Sequence, residues 1–214
     1  MGTEAIIIIV ALILSIVLHE MAHGYAAHWL GDPTARLQGR LSFNPLVHLD
    51  PIGSILVPGL LFFSSAGFIF GWAKPVPYNP YNLSDQRYGE AKVAAAGPLV
   101  NIVIALVFSA LIRSADVLGL SAMFLDIASY VVYLNILLAL FNMIPIPPLD
   151  GSKILTVLLP YRAAQSYRSF TMFFEQYGFI ATILFIFIFI NIFWTPFATL
   201  VFTVFELMTG LGGL

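Results

Sequence analysis

The chain has 214 residues, of which 60% are hydrophobic and only 9% are charged, and its formal net charge is -2. An average soluble domain is about one quarter charged, so this chain cannot cover a globular surface with polar side chains. With 9 basic residues and no cysteine, it is excluded from intrinsic disorder, from nucleic-acid binding and from disulfide-stabilised secreted scaffolds.

The first predicted element is a transmembrane helix over about residues 5–30, because this apolar run is long enough to cross a bilayer and no basic region precedes it. It carries an H-E-x-x-H motif at His19, Glu20 and His23. Residues i and i+4 share one helix face, so both imidazoles can bind one metal ion with a carboxylate beside it. Polar residues inside an apolar run are costly, so we expect them to be functional. The motif predicts metal-assisted peptide hydrolysis, with the glutamate moving the proton of a zinc-activated water.

The segment between residues 31 and 92 has three parts. In the polar loop 31–51, His48 and Asp50 are candidates either to orient a ligand histidine or to cap a turn. The apolar stretch 52–70 either crosses the membrane or enters it and turns back. Prolines in GWAKPVPYNP favour extended backbone, which is either an edge for an unwound substrate or an interfacial loop. Candidate substrate-binding residues on it are Trp72, Lys74, Pro75 and Val76.

Three later apolar runs, at about 93–112, 122–144 and 179–207, are also long enough to cross. The charged segments 31–51 and 150–177 are predicted as loops or interfacial helices. We interpret residues 1–214 as one membrane domain with a catalytic core over about 5–160 and a C-terminal transmembrane helix over about 178–208.

A third metal ligand is needed, because catalytic zinc usually has three protein ligands. Asp150 follows FNMIPIPP, an interrupted helix of a kind tolerated at membrane depth only where it is buried in protein or lines a wet cavity. We therefore favour Asp150 as the ligand, with an N-cap of the next segment as the alternative. His48 and Asp50 are further candidates and stay unassigned. The remaining candidates are better explained as interfacial or solvated residues, namely His28, Asp116 and Asp126.

Three motifs, HEMAH, GPLVN at 97–101 and NMIPIPPLDG at 142–151, resemble in sequence and order the signature of the site-2 protease family, peptidase family M50. NPLVHLDPIG and GWAKPVPYNP further resemble its compact prokaryotic branch without a PDZ domain. The resemblance implies an intramembrane metalloprotease with one Zn²⁺ per chain, acting on a single-pass membrane protein or membrane peptide. It implies zinc ligands His19, His23 and Asp150, Glu20 as general base, and Asn101 near the site. We add His48 and Asn142 as candidate polar neighbours.

Membrane depth gives a test of the site that the resemblance implies. At a rise of about 1.5 Å per residue, His19 and His23 lie roughly 21 and 27 Å along their helix, near the far edge of an apolar core of about 30 Å. The same rise per residue, counted along the helix that precedes Asp150, places Asp150 near that edge. Asn101 lies near the start of its helix and reaches the site only if that helix begins on the same side. The number of crossings between residues 30 and 93 must then be even, so we predict that 52–70 is re-entrant.

This topology separates the cations. Of the 9 basic residues, only Arg113 falls on the side away from the site, so the positive-inside rule makes the site's side cytoplasmic and the N-terminus external. We expect a multi-pass protein in the plasma membrane of a prokaryote, and make no prediction of its oligomeric state. On the site's side lie Arg36, Arg40, Lys74, Arg87, Lys92, Lys153, Arg162 and Arg168.

The predicted fold is therefore an all-α integral membrane protein with about four full crossings, or five or six. A re-entrant segment and a short extended hairpin lie between the HEMAH and GPLVN helices. The competing function is a membrane zinc-binding or zinc-transport protein without protease activity. Glu20 argues against transport, because a transport site needs no carboxylate beside an open metal position.

Overall fold

The computed structural model describes residues 2–63 and 71–212, and these residues form helices, turns and extended chain without a β-strand. Four helical segments are long and apolar enough to cross a membrane, namely Ile6–Trp29, Gly89–Arg113, Ala122–Asn142 and Ile180–Thr209. The predicted all-α membrane fold with about four crossings is confirmed.

The described helices are, in chain order, α1 (Gly2–Trp29), α2 (Thr34–Leu37), α3 (Val57–Phe63), α4 (Gly89–Arg113), α5 (Ala115–Leu118), α6 (Ala122–Asn142), α7 (Asp150–Leu158), α8 (Tyr161–Ile188) and α9 (Trp194–Thr209). Short turns of 3-10 helix lie at Pro45–His48 and Pro80–Asn82, and wider π-helical turns at Pro51–Leu56 and Phe189–Phe193. Helix α4 packs against both α1 and α6, so these three helices form the centre of the molecule.

The end of α1 is joined to the segment that leads into α4. Gly31 has a φ of 103°, a left-handed conformation that favours glycine and turns the chain out of the helix. Ser84 then donates its backbone N–H to the carbonyl of Leu30 at 2.7 Å. The chain therefore leaves α1 and returns to α4 at the same end of the bundle, as an even number of crossings requires.

The apolar stretch after residue 51 also returns to its starting point. Trp72 N–H donates to the Gly53 carbonyl at 3.1 Å, and Lys74 N–H donates to the His48 carbonyl at 2.8 Å. A single crossing would separate the two ends by about 30 Å, so both ends of this segment lie on one side of the bundle. Residues 64–70 lie outside the described part of the chain. Instead of a regular β-hairpin, the described part has extended chain held by these backbone bonds.

The opposite end of the bundle is closed by Arg113, the last residue of α4. Its guanidinium donates to the carbonyls of Met208 and Leu207, both at 2.7 Å, and so caps the C-terminal end of α9. Helices α4 and α9 therefore end on the same side, away from the α1–α4 junction.

Helix α8 has two parts separated at Gly178, whose φ of 38° and ψ of -104° are not helical. The first part carries the polar residues that were predicted as interfacial. The second part starts the last apolar span at Ile180, close to the predicted start at about residue 178. The break in the backbone thus coincides with the change in composition.

Asp32 holds the α1–α4 junction together and gives a test of its stability. Its carboxylate is fully buried and accepts hydrogen bonds from Thr34 N–H and Oγ1, Asn79 N–H and Asn82 Nδ2 at 2.6–3.2 Å. Burial alone would raise the pKa of Asp32, but these donors outweigh it and hold the pKa below its ordinary value. Asp32 therefore stabilises the fold at neutral pH, and this contribution is lost as the pH falls through its pKa.

We expect Asp32→Asn to lower the free energy of unfolding by about 1.5–3 kcal/mol at pH 7, since an amide turns N–H groups toward donors. The deficit relative to wild type should shrink as the pH falls from about 4, the ordinary pKa of an aspartate, toward the lower pKa of Asp32 in the folded protein. Denaturant unfolding in detergent at several pH values measures both effects. The control is Asp116→Asn at an exposed aspartate of α5, for which we expect little change. A deficit for Asp32→Asn that is equal at pH 3 and pH 7 would contradict this assignment.

Candidate metal centre

Three side chains from two distant parts of the chain converge beside α4. His19 and His23 lie one turn apart on α1, with ring centroids separated by 4.7 Å. The Oδ2 atom of Asp150, the first residue of α7, lies 3.3 Å from Nε2 of each histidine. Leu149, not Asp150, occupies the N-cap position of α7. The aspartate carboxylate therefore faces the histidines, and the capping alternative is wrong.

Both imidazoles are held by their other ring nitrogen. Nδ1 of His23 lies 2.7 Å from the carbonyl of Val93, and Nδ1 of His19 lies 2.7 Å from Oδ1 of Asn101. A carbonyl only accepts, so Nδ1 of His23 carries the proton, and in the neutral ring Nε2 presents a lone pair. That lone pair points toward a carboxylate oxygen. Groups that are all acceptors converge here, an arrangement complementary to a cation.

The two nitrogen-to-oxygen separations fit a tetrahedral metal ion. Bonds of about 2.0–2.2 Å from zinc to nitrogen or oxygen give ligand-to-ligand distances of about 3.3–3.5 Å in a tetrahedron. The two measured nitrogen-to-oxygen distances are 3.3 Å. The candidate ligand atoms of all three residues lie within 4.8 Å of one another. Two imidazoles and one carboxylate are a donor set suited to zinc.

Gly97 leaves the space into which the histidines project. A Cβ at this position would lie 2.5 Å from Nε2 of His23 and 2.6 Å from Nε2 of His19. The next residue is Pro98, buried within α4. The GP of the GPLVN motif thus brings helix backbone against the metal-facing nitrogens, where any larger residue would clash.

Glu20 is held by the extended segment 71–79. Its Oε2 accepts the backbone N–H of Val76 at 2.8 Å. Arg40 fixes this part of the segment, because its guanidinium donates to the carbonyls of Lys74 at 2.7 Å and Pro75 at 3.2 Å. The position of the carboxylate therefore depends on a backbone segment more than fifty residues away.

Glu20 and the three converging residues line one cavity of about 640 Å³. Apolar walls come from the membrane helices α6 and α8, through Leu138, Phe141 and Ile183. Of the candidate substrate-binding residues, Trp72, Pro75 and Val76 line the cavity and Lys74 does not. Asn142 also lines it, while its amide donates to the Leu138 carbonyl of its own helix at 2.9 Å.

His48 does not join the site. Its Nε2 donates to the carbonyl of Ser42 at 2.9 Å, and Nδ1 of each converging histidine has another partner. The hypothesis that His48 orients one of them is wrong. Asp50 accepts the N–H groups of Ile52 and Gly53 and so caps the following turn, as the capping alternative predicts.

Two polar residues near the site were missed by the sequence analysis. Asn135 of α6 accepts from the amide of Asn101 at 2.9 Å and donates to Ser15 of α1 at 2.9 Å. Neither residue belongs to a motif. Their signal is a hydrogen-bonding side chain within an apolar, membrane-spanning run, which is costly unless it finds a partner.

A membrane helix bundle with two histidines, an aspartate and an adjacent glutamate facing one cavity defines a class, the membrane metallohydrolases. Known proteins agree with it. Residues 117–189 match the model of peptidase family M50. YwhC of Bacillus subtilis, named a putative zinc metalloprotease, is 38% identical over 197 residues, or 88% of this chain and 80% of its own. The chain belongs to peptidase family M50, and it is a multi-pass membrane metalloendopeptidase.

More distant relatives carry similar names. Rip2 of Mycolicibacterium smegmatis is 29% identical over 68% of this chain, which spans 54% of Rip2. The zinc metalloprotease MJ0392 of Methanocaldococcus jannaschii is 26% identical over 72% of this chain, which spans 34% of that relative. No solved structure is a significant match.

Proposed function

We propose that this protein is a zinc-dependent endopeptidase that cleaves transmembrane segments of membrane proteins near the cytoplasmic face. The observation that carries the proposal is the composition of the cavity wall. Glu20, His19 and Asp150 share one cavity with apolar residues of spanning helices, including Phe141 and Ile183. A peptide that reaches Glu20 through such a wall must itself be apolar.

His19, His23 and Asp150 would hold the zinc ion, which lowers the pKa of a bound water and polarises a peptide carbonyl when it is present. Glu20 takes a proton from the attacking water. As the water oxygen bonds to the carbonyl carbon and the C–N bond breaks, Glu20 delivers that proton to the leaving amine. Asn142, which also lines the cavity, is our candidate for contact with the carbonyl oxygen.

Substrate is proposed to bind along the extended segment 71–79. A transmembrane helix must unwind before its peptide bonds can be attacked, and an unwound peptide can pair with an exposed extended edge. Trp72, Pro75 and Val76 line the cavity beside Glu20, which supports this edge as the docking site. Because Val76 N–H holds Glu20, a peptide on this edge would lie next to the general base.

The orientation rests on charge. Arg113 is the cation predicted on the far side, and it is engaged with the end of α9. The other eight of the 9 basic residues support a cytoplasmic site, an external N-terminus and location in a prokaryotic plasma membrane.

The absence of cysteine from the sequence makes a labelling test of topology direct. Inverted vesicles expose the cytoplasmic face of the membrane to an impermeant maleimide, and we expect single cysteines at Arg36, Ser84 and Gln165 to react only in these vesicles. Single cysteines at Thr3 and Ser121 should react only in right-side-out vesicles. Labelling of Arg36 and Ser84 from opposite sides would contradict the topology.

Reconstituted protein and a panel of single-pass model substrates test the activity. We expect zinc-dependent cleavage that a chelator stops and added zinc restores, with the cut mapped by mass spectrometry inside the apolar segment. Cuts confined to the soluble parts of the substrates would contradict intramembrane cleavage. Zinc moving across the vesicle membrane without any cleavage would instead favour the transport alternative.

A further inference from the structure

A line of buried polar side chains leaves α1, passes through α6 and α4, and returns to α1 at a candidate metal ligand. It consists of Ser15, Asn135, Asn101 and His19, which are 4%, 0%, 0% and 6% exposed. The hydrogen-bonded side-chain atoms of consecutive members lie 2.9 Å apart from Ser15 to Asn135, 2.9 Å from Asn135 to Asn101 and 2.7 Å from Asn101 to His19. We call this set the amide relay. Its ends lie one helical turn apart on the same face of α1.

One hydrogen bond to a backbone carbonyl fixes the donor and acceptor of each hydrogen bond between the side chains of the amide relay. The side-chain nitrogen of Asn135 lies 2.8 Å from the backbone carbonyl of Val131, which can only accept. The Asn135 NH₂ group must therefore face Val131, and its Oδ1 must face Asn101. Asn101 then turns its own NH₂ group toward Asn135 and its Oδ1 toward His19.

The last step fixes the imidazole. An oxygen acceptor facing Nδ1 of His19 requires the proton on Nδ1, which leaves the lone pair of the neutral ring on Nε2. Nε2 is the atom that lies 3.3 Å from Asp150. His23 obtains the same result directly, because its Nδ1 donates to the carbonyl of Val93. Both histidines thus have the same tautomer, fixed in His19 by a side-chain amide and in His23 by a backbone carbonyl.

We propose that Asn135 is a positioning residue for the metal centre, acting through Asn101 to keep Nε2 of His19 available to the ion. This inference rests on the proposed metal ligands and goes beyond them. Without an acceptor at position 135, the NH₂ group of Asn101 is buried without a partner. Reversal of the Asn101 amide would then face Nδ1 with a donor and move the imidazole proton to Nε2, where it blocks metal binding.

The test measures zinc affinity in detergent, by competition with a chelating indicator, on protein shown to be folded. We expect Asn135→Leu to bind zinc about tenfold more weakly, since partners behind a metal ligand typically contribute about 10–100-fold. Asn135→Asp should stay within about threefold of wild type, because a protonated carboxyl can donate to Val131 and accept from Asn101. The control is Asn191→Leu, at an exposed asparagine whose amide donates to the Phe187 carbonyl one turn back. It should leave the affinity unchanged.

A double-mutant cycle separates positioning from a structural effect. If Asn135 acts through Asn101, Asn135→Leu should weaken zinc binding no further in an Asn101→Ala background. Independent, additive losses would overturn the proposal, as would a tenfold loss in Asn135→Asp. If Asn135→Leu does not fold, Asn135→Asp and Asn135→Ser provide the same comparison, with the serine variant expected to lose affinity.

Failure of this inference is distinguishable from failure of the proposed function, because no peptide is cleaved in the assay. If Asp150→Ala lowers the zinc affinity and Asn135→Leu does not, the metal ligands stand and the amide relay is refuted. If neither substitution has an effect, zinc binds elsewhere and both proposals fall.

Discussion

Glu20→Gln is expected to retain zinc and to cleave substrate about 10²–10⁴-fold more slowly than the wild type. The glutamine oxygen can still accept the Val76 N–H, so the side chain should keep its position. An amide cannot take the proton of the attacking water at neutral pH. The loss should therefore appear in kcat, with substrate affinity and zinc content unchanged.

A second glutamate provides the control for this prediction. Glu90, in the first turn of α4, lies 3.5 Å from the hydroxyl of Tyr78 and does not line the cavity. Glu90→Gln should cleave at close to the wild-type rate. Cleavage by Glu20→Gln at the wild-type rate would remove the general base from the mechanism. Loss of zinc from that variant would instead make Glu20 part of the metal centre.

Gly97→Ala is expected to weaken zinc binding by about 100-fold or more and to abolish cleavage. Its Cβ would lie 2.5 Å from Nε2 of His23, and the helix backbone that carries it cannot withdraw, because α4 packs between α1 and α6. The imidazoles would have to move, and a metal centre tolerates little displacement of its ligands.

A matched helical glycine separates this local clash from a general effect of alanine. Gly59 of α3 has no atom of the described part of the chain within 4 Å of a Cβ built on it, so Gly59→Ala should bind zinc normally. Unchanged zinc affinity in Gly97→Ala would show that the histidines do not need the space beside α4.

Much of the fold follows from periodicity and length in the sequence. Spanning length predicts four crossings, and helix geometry predicts that His19 and His23 share a face. The re-entrant segment was inferred from parity, since the two motifs meet only after an even number of crossings. The bonds from Trp72 to Gly53 and from Ser84 to Leu30 have the geometry that this argument requires.

Other features depend on contacts that no spacing encodes. Asn135 lies in a continuous apolar run, and its partners are 34 and 120 residues away. The bond between Val76 and Glu20 uses a backbone N–H, which has no sequence signature at all. His48 is a case in which residue type suggests a role that the fold does not provide. A histidine is a common partner at metal sites, but this one donates to the nearby Ser42 carbonyl.

The amide relay also has a consequence for biogenesis. Asn101 and Asn135 lie on helices that are synthesised after α1, and an amide facing lipid without a partner costs several kcal/mol by order of magnitude. Ser15 and His19 on α1 are already present when α4 and α6 enter the bilayer. Each later helix can therefore satisfy its amide by a hydrogen bond to α1, which favours its packing beside α1 during insertion. The side chains that orient the histidine can also guide the assembly of the bundle that contains it.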